Sequence, residues 1–139
     1  MNQNRPKHLA LQHIKFPLPA IVSILHRASG VLLFLCLPFM LWTLQYSLRS
    51  IETFTLLVWM FQHPISKLIL LVVLWAFLHH FSAGIRYLAL DLDYGVKLAQ
   101  ARASSKWVLI VSLTLTVLIG ARLWKIALSP ARIMACATG

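Results

Sequence analysis

The sequence predicts an all-α integral membrane protein with three transmembrane helices, and three observations support this prediction. First, 60% of the 139 residues are hydrophobic and only 12% are charged, whereas soluble domains average about 25% charged residues. Second, a soluble domain of this size cannot bury so much apolar surface. Third, the chain has room for three apolar spans of about 20 residues each. These figures argue against a soluble globular enzyme and exclude an intrinsically disordered chain.

The predicted N-terminal segment is residues 1–18, and the first span follows at about 19–49. The segment is polar and basic and lacks the apolar core of a secretory signal, so we expect a bacterial inner-membrane protein that is inserted by its own first span. Pro19 is compatible with the first turn of a helix. Residues 28–48 contain no charged side chain, and Arg49 ends this stretch.

The second span is predicted at about 65–90 and the third at about 106–128. Between the first two spans, the aromatic stretch at 54–61 is too short to cross a bilayer, and we interpret it as an interfacial segment. Residues 68–85 carry no formal charge. Residues 96–106 are polar and basic, and we interpret them as the connection to the third span.

The basic residues predict the orientation of the chain, which we treat as a single domain of residues 1–139. The formal charge is +10, with 13 Lys and Arg against 3 Asp and Glu. Cations at the edges of apolar stretches are typical of contact with membrane lipid, so no nucleic-acid partner is expected. With three spans, the N-terminal segment and the connection at 96–106 lie on the same side of the membrane, and together they hold six Lys or Arg residues. The other side holds five, and this small excess favours a cytoplasmic N-terminus.

Two groups of polar residues intrude into the predicted spans, where an ionisable side chain indicates function because its exposure to lipid is costly. One group shares a helical face near the start of the first span: Ser23, Arg27 and Gly30, with His26 beside them. The other shares a face of the second span: His80, Gly84 and Tyr87. Helix rise places His26 roughly 10 Å and His80 roughly 16 Å inside the same leaflet. We therefore expect one shared site.

The residue types of this site suit a haem or a quinone. Iron binds a histidine nitrogen such as that of His80, and a glycine lets the macrocycle approach the helix backbone. Arg27 and His26 can neutralise haem propionates, while Ser23 and Arg27 can donate hydrogen bonds to a quinone. A second axial histidine would come from His26, His79 or another chain. Simpler alternatives are an interhelical hydrogen bond for His80, a bond to its own helix for Ser23, and lipid contact for Arg27.

The remaining polar residues of the spans have structural interpretations. We interpret Arg86 and Asp91 as flanks of the second helix end, Tyr87 as an interfacial anchor and His79 as a packing residue. The scarcity of acids argues against a proton pump built from carboxylates and against a divalent-metal transporter. Cys36 and Cys136 show neither a disulfide framework nor a zinc pattern.

Two motifs of the chain resemble those of a known family. After Arg-Pro at residues 5–6, residues 23–30 read Ser-Ile-Leu-His-Arg-Ala-Ser-Gly, which matches the pattern Ser-Ile-x-His-Arg-x-[ST]-Gly. Residues 80–91 match the pattern His-x-x-x-Gly-x-Arg-[HY]-x-x-x-Asp. Both patterns are signatures of the cytochrome b subunit of succinate dehydrogenase. The resemblance covers about residues 5–125.

This resemblance implies a function, cofactors and partners. The three helices would join a bundle completed by a second hydrophobic anchor subunit, beside an iron–sulfur subunit and a flavoprotein subunit. The chain would be non-catalytic alone and would help to pass electrons from succinate to ubiquinone. His80 would be an axial ligand of the haem b iron, with the other ligand from the second anchor subunit. Ser23 and Arg27 match quinone-binding residues, and His26 and Arg27 match residues near the haem propionates.

Two other classes of function remain open from the sequence. A haem-free structural anchor, of the same complex or of a fumarate reductase, would have the same fold, with His80 only packing. A small transporter or channel subunit would place polar residues along a whole span, whereas this sequence gathers them in one leaflet.

Overall fold

The computed structural model describes residues 16–127, and this part of the chain folds into four α-helices without a β-strand. The helices are α1 (Leu18–Ser47), α2 (Ile51–Gln62), α3 (Pro64–Asp91) and α4 (Leu98–Ala127). Three of them, α1, α3 and α4, are long and apolar enough to cross a membrane. The predicted all-α membrane fold with three spanning helices is therefore confirmed.

Prolines mark the starts of the first two long helices. Pro17 precedes α1 in an extended conformation and Pro19 lies in the first turn, while Pro64 is the first residue of α3. The first turn tolerates proline because the N–H that proline lacks would have no partner there. Pro38 lies inside α1 without ending it.

The short helix α2 follows α1 and precedes α3 in the chain, and its N-terminus is closed by two reciprocal hydrogen bonds. The backbone N–H of Thr53 donates to Ser50 Oγ at 3.2 Å, and the backbone N–H of Ser50 donates to Thr53 Oγ1 at 3.1 Å. This capping box satisfies two N–H groups that the helix itself leaves unpaired. Twelve residues are too few to cross a hydrocarbon core of about 30 Å. The interfacial position of this segment stays a prediction.

The three long helices meet in a small core that contains one buried residue from each. Val22 of α1, Ala83 of α3 and Val108 of α4 form this cluster, and α3 contacts both of the other long helices. On α4, Gly120 leaves room for the side chain of Leu71 on α3. Small residues at such contacts let helices approach closely, which is the usual basis of helix association in membranes. Many large apolar side chains are exposed on the outside of the helices instead, as contact with lipid requires.

The connection between α3 and α4 is shorter than the sequence predicts, because it runs only from residue 92 to residue 97. α4 already begins at Leu98, so residues 98–105, which we interpret from composition as part of a polar connection, are helical. Alanine, glutamine and arginine are strong helix formers, so the polar side chains of this segment do not by themselves indicate a loop. Asp93 and Gly95, both with positive φ, form the actual turn. The limits of the spans within the bilayer stay a prediction, and most of the segment 1–18 and residue 128 lie outside the described residues.

Candidate functional site

The structure brings His26 of α1 and His80 of α3 into direct contact, as the comparison of their depths predicts. Their rings stack with centroids 4.2 Å apart and planes inclined by 10°. Both side chains are half-buried. Two polar residues that are 54 positions apart in the chain therefore form one site between two spanning helices.

A polar network of α1 holds one nitrogen of the His80 ring. His80 Nδ1 lies 3.0 Å from the carbonyl oxygen of His26 and 3.3 Å from Ser29 Oγ. Because a carbonyl can only accept, the shorter contact is a hydrogen bond when Nδ1 carries the proton. In that tautomer of the imidazole, Nε2 has the free lone pair, and it has no hydrogen-bond partner among the described residues. A histidine nitrogen with a free lone pair is one that can bind a metal.

An open, one-sided groove of about 470 Å³ lies beside these rings. Its lining combines two imidazoles, one guanidinium and an apolar wall: His26, Arg27, Gly30, Val31, Phe34 and His80. An imidazole nitrogen suits a haem iron, the apolar wall suits a macrocycle, and a guanidinium suits a carboxylate. The residues present therefore fit a haem.

Ser23 and Arg27 form a pair on the exposed side of α1. Arg27 Nη2 donates to Ser23 Oγ at 3.3 Å, one helical turn away. The serine hydroxyl accepts this bond, so its own proton is free for another acceptor, and the guanidinium keeps further N–H donors. Arg27 lines the groove but Ser23 does not. The two predicted quinone-binding residues are therefore adjacent. Arg27 also lines the groove together with His26 and His80.

The predicted face of α3 lies against His26. The ring of Tyr87 is 5.1 Å from that of His26, and a Cβ added to Gly84 would lie 3.9 Å from His26 Nε2. Tyr87 packs against the buried core, and its hydroxyl is buried without a hydrogen-bond partner in the described part of the chain. The interpretation of Tyr87 as an interfacial anchor is therefore wrong, because its ring faces the bundle.

Arg86 is a buried link between α3 and α4, and its interpretation as a flank of the helix end is also wrong. Only 8% of the residue is exposed. Its Nε donates to Ser104 Oγ at 2.9 Å, its Nη2 donates to the carbonyl of Ala101 at 3.4 Å, and its guanidinium lies 5.2 Å from the Tyr87 ring. The sequence signal that could have revealed this role is a charged residue within the predicted second span, where an ionisable side chain usually has a partner inside the protein.

Replacing Arg86 with alanine should lower the thermal stability of the subunit in its membrane complex. The variant loses hydrogen bonds from a charged donor, each worth about 1.5–3 kcal/mol, and leaves a gap beside Tyr87. The measurement is the unfolding temperature of the detergent-solubilised complex. The control is Arg49→Ala, because Arg49 is exposed and its side chain makes no hydrogen bond within the described residues. Equal unfolding temperatures for both variants would contradict the structural role.

His79 does not line the groove. It is fully buried, its ring stacks on Trp75 at 5.3 Å, and neither ring nitrogen has a hydrogen-bond partner among residues 16–127. The His26 ring lies against the His80 ring, and His79 is not among the residues that line the groove.

Comparison with known proteins identifies the family of the chain. The model of the succinate dehydrogenase/fumarate reductase transmembrane subunit family matches residues 1–119. The chain is 41% identical over 125 residues to the succinate dehydrogenase cytochrome b556 subunit of Coxiella burnetii, covering 89% of this chain and 100% of that protein. It is 34% identical over 115 residues to the subunit of the same name from Paracoccus denitrificans, covering 83% and 88%. For the Rickettsia felis subunit the identity is 29% over 118 residues, covering 83% and 90%. This multi-pass membrane chain therefore belongs to the succinate dehydrogenase/fumarate reductase transmembrane subunit family.

Proposed function

We propose that the chain is the cytochrome b membrane-anchor subunit of a succinate dehydrogenase, in which His80 ligates haem b and Ser23 and Arg27 help to bind ubiquinone. The observation that carries the proposal is the His80 ring, which is held through Nδ1 by α1 and lines the groove. The relatives named cytochrome b556 support the haem.

Five of the six groove-lining residues would have a distinct part in holding the haem. His80 would supply the imidazole nitrogen for the iron, and Arg27 and His26, which line the same groove, would supply hydrogen-bond donors for the propionates. Val31 and Phe34 supply apolar surface for the macrocycle. When bound, the haem supplies a one-electron carrier within the membrane. Contacts of Nδ1 with the His26 carbonyl and Ser29 hold the His80 ring between α1 and α3.

Ubiquinone binding is assigned to the pair of Ser23 and Arg27. A quinone headgroup needs a hydrogen-bond donor at each carbonyl, and a hydroxyl with a guanidinium provides two. Arg27 has five N–H donors, so the bond to Ser23 leaves others for a quinone or a propionate. The pair lies on the exposed side of α1 and is therefore accessible to a hydrophobic substrate from the membrane or from a subunit interface.

The one-sided groove supports a second hydrophobic anchor subunit as a partner. On α1 the groove residues Val31 and Phe34 are 61% and 73% exposed, so this chain alone does not enclose a macrocycle. The partner would supply the opposite wall and the second axial ligand. An iron–sulfur subunit and a flavoprotein subunit complete the proposed complex in a bacterial inner membrane, with the N-terminus of this chain in the cytoplasm.

Purification through an affinity tag on this chain tests the proposed complex. We expect a flavoprotein, an iron–sulfur protein and a second small hydrophobic subunit to copurify, with succinate:ubiquinone reductase activity. Mass spectrometry identifies the subunits, and the activity is measured with and without added quinone. Recovery of the chain without a flavoprotein, or of a complex that does not oxidise succinate, would contradict the proposal.

A further inference from the structure

We propose that Ser29 is a positioning residue for His80: with the backbone carbonyl of His26, its hydroxyl fixes the orientation and the tautomer of the imidazole. This inference rests on the proposed function, because it concerns the histidine that is proposed as the axial ligand. Ser29 belongs to the first of the two sequence motifs but does not line the groove.

Ser29 closes a hydrogen-bonded triangle between α1 and α3. Its Oγ donates to the carbonyl oxygen of His26 at 2.8 Å and lies 3.3 Å from His80 Nδ1, while Nδ1 lies 3.0 Å from the same carbonyl oxygen. Ser29 is only 4% exposed. Burial strengthens such contacts because water does not compete for them.

Both neighbours of Nδ1 favour a proton on that nitrogen. The His26 carbonyl can only accept, and the Ser29 hydroxyl, whose proton is directed to this carbonyl, presents a lone pair toward Nδ1. The ring then carries its lone pair on Nε2. A ligating histidine whose other N–H is held by an acceptor is fixed in orientation and is a more basic ligand. Ser29 would therefore influence the iron through His80 without touching it.

Gly30 makes the close approach of the ring possible. A Cβ at this position would lie 2.9 Å from His80 Cε1 and 3.3 Å from Nδ1, which leaves no room for a side chain unless the ring moves. One turn of α1 thus supplies a carbonyl at His26, a hydroxyl at Ser29 and a gap at Gly30. Together they form a cradle for one edge of the imidazole.

A serine that only bonds to its own helix is the alternative, and α1 contains such a serine. Ser47 Oγ donates to the carbonyl of Leu44 at 2.7 Å, three residues earlier, as Ser29 does to His26. Such bonds are common within helices and need no further role. Ser47, however, has no second polar contact within the described residues. It therefore offers a matched control on the same helix.

The test compares the purified complex with its Ser29→Ala, Ser29→Thr and Ser47→Ala variants. We expect Ser29→Ala to keep its haem but to raise the haem midpoint potential, because the ligand loses an acceptor at Nδ1 and becomes a weaker donor to ferric iron. The g-values of the ferric haem in electron paramagnetic resonance should also shift as the ring gains freedom. Ser29→Thr retains the hydroxyl and should restore both values, and Ser47→Ala should leave both unchanged.

A second variant tests the same cradle without altering the hydroxyl. Gly30→Ala should displace the ring and shift the g-values, with the haem retained. Wild-type potential and g-values in Ser29→Ala would overturn the inference, whatever the result in Gly30→Ala, as would an equal shift in Ser47→Ala. A wild-type complex that contains no haem would instead contradict the proposed function, so the two failures are distinguishable.

Discussion

Replacing His80 with leucine should abolish the b-type haem signal of the complex or shift it away from that of the wild type. The groove would lose the imidazole nitrogen that is proposed to bind the iron, and leucine offers no ligand atom. The measurement is the reduced-minus-oxidised absorption spectrum of the purified complex, together with its haem content per flavin. His80→Gln removes the ligand while keeping a polar side chain, and should have the same effect.

The control for this substitution is His63→Leu. His63 is exposed between α2 and α3, at the other end of α3 from the stacked histidines. Its replacement should leave the spectrum and the haem content unchanged. If His80→Leu and His80→Gln both retained the wild-type spectrum, another residue would be the ligand and the assignment of His80 would fail.

Replacing Arg27 with alanine should reduce succinate:ubiquinone reductase activity by roughly tenfold to a hundredfold. This range corresponds to the loss of a charged hydrogen bond of about 1.5–3 kcal/mol to the substrate. Succinate oxidation with a soluble dye as acceptor should persist, because the dye does not need the quinone site. Both activities are measured on the same membrane preparation.

Two further variants show whether the effect belongs to the pair on α1. Ser23→Ala removes the neutral partner and should give a smaller loss of quinone reductase activity in the same direction. Arg102→Ala is the matched control, because Arg102 is an exposed arginine of α4 whose side chain makes no hydrogen bond in the described part of the chain. A parallel fall of dye reduction in Arg27→Ala would indicate that Arg27 serves assembly instead of quinone binding.

The convergence of the two histidines was predictable because it depends only on helix rise and on the ends of the apolar stretches. His26 and His80 each lie two to three turns from a recognisable helix boundary, so their depths could be compared before any packing was known. The helical repeat likewise placed Gly84 and Tyr87 on the face of α3 that meets His26.

The contacts of Ser29 and Arg86 were not predictable from the same rules. The Ser29 hydroxyl reaches His80 because α1 and α3 approach closely at Gly30, and that approach is a property of tertiary packing. Arg86 is buried because α4 starts eight residues before the predicted span, at Leu98 instead of 106, and places Ser104 opposite it. Composition marked those residues as polar but could not show that they form a helix against α3.

The central claim is that this chain holds haem b in a membrane complex that oxidises succinate. The most direct test is the reduced-minus-oxidised spectrum of the wild-type complex, purified through this chain, with haem quantified against covalently or tightly bound flavin. The proposal predicts a b-type band and about one haem for each copy of this chain. A complex with full flavin content and succinate oxidation but no b-type band would contradict it, and would identify the chain as a haem-free structural anchor.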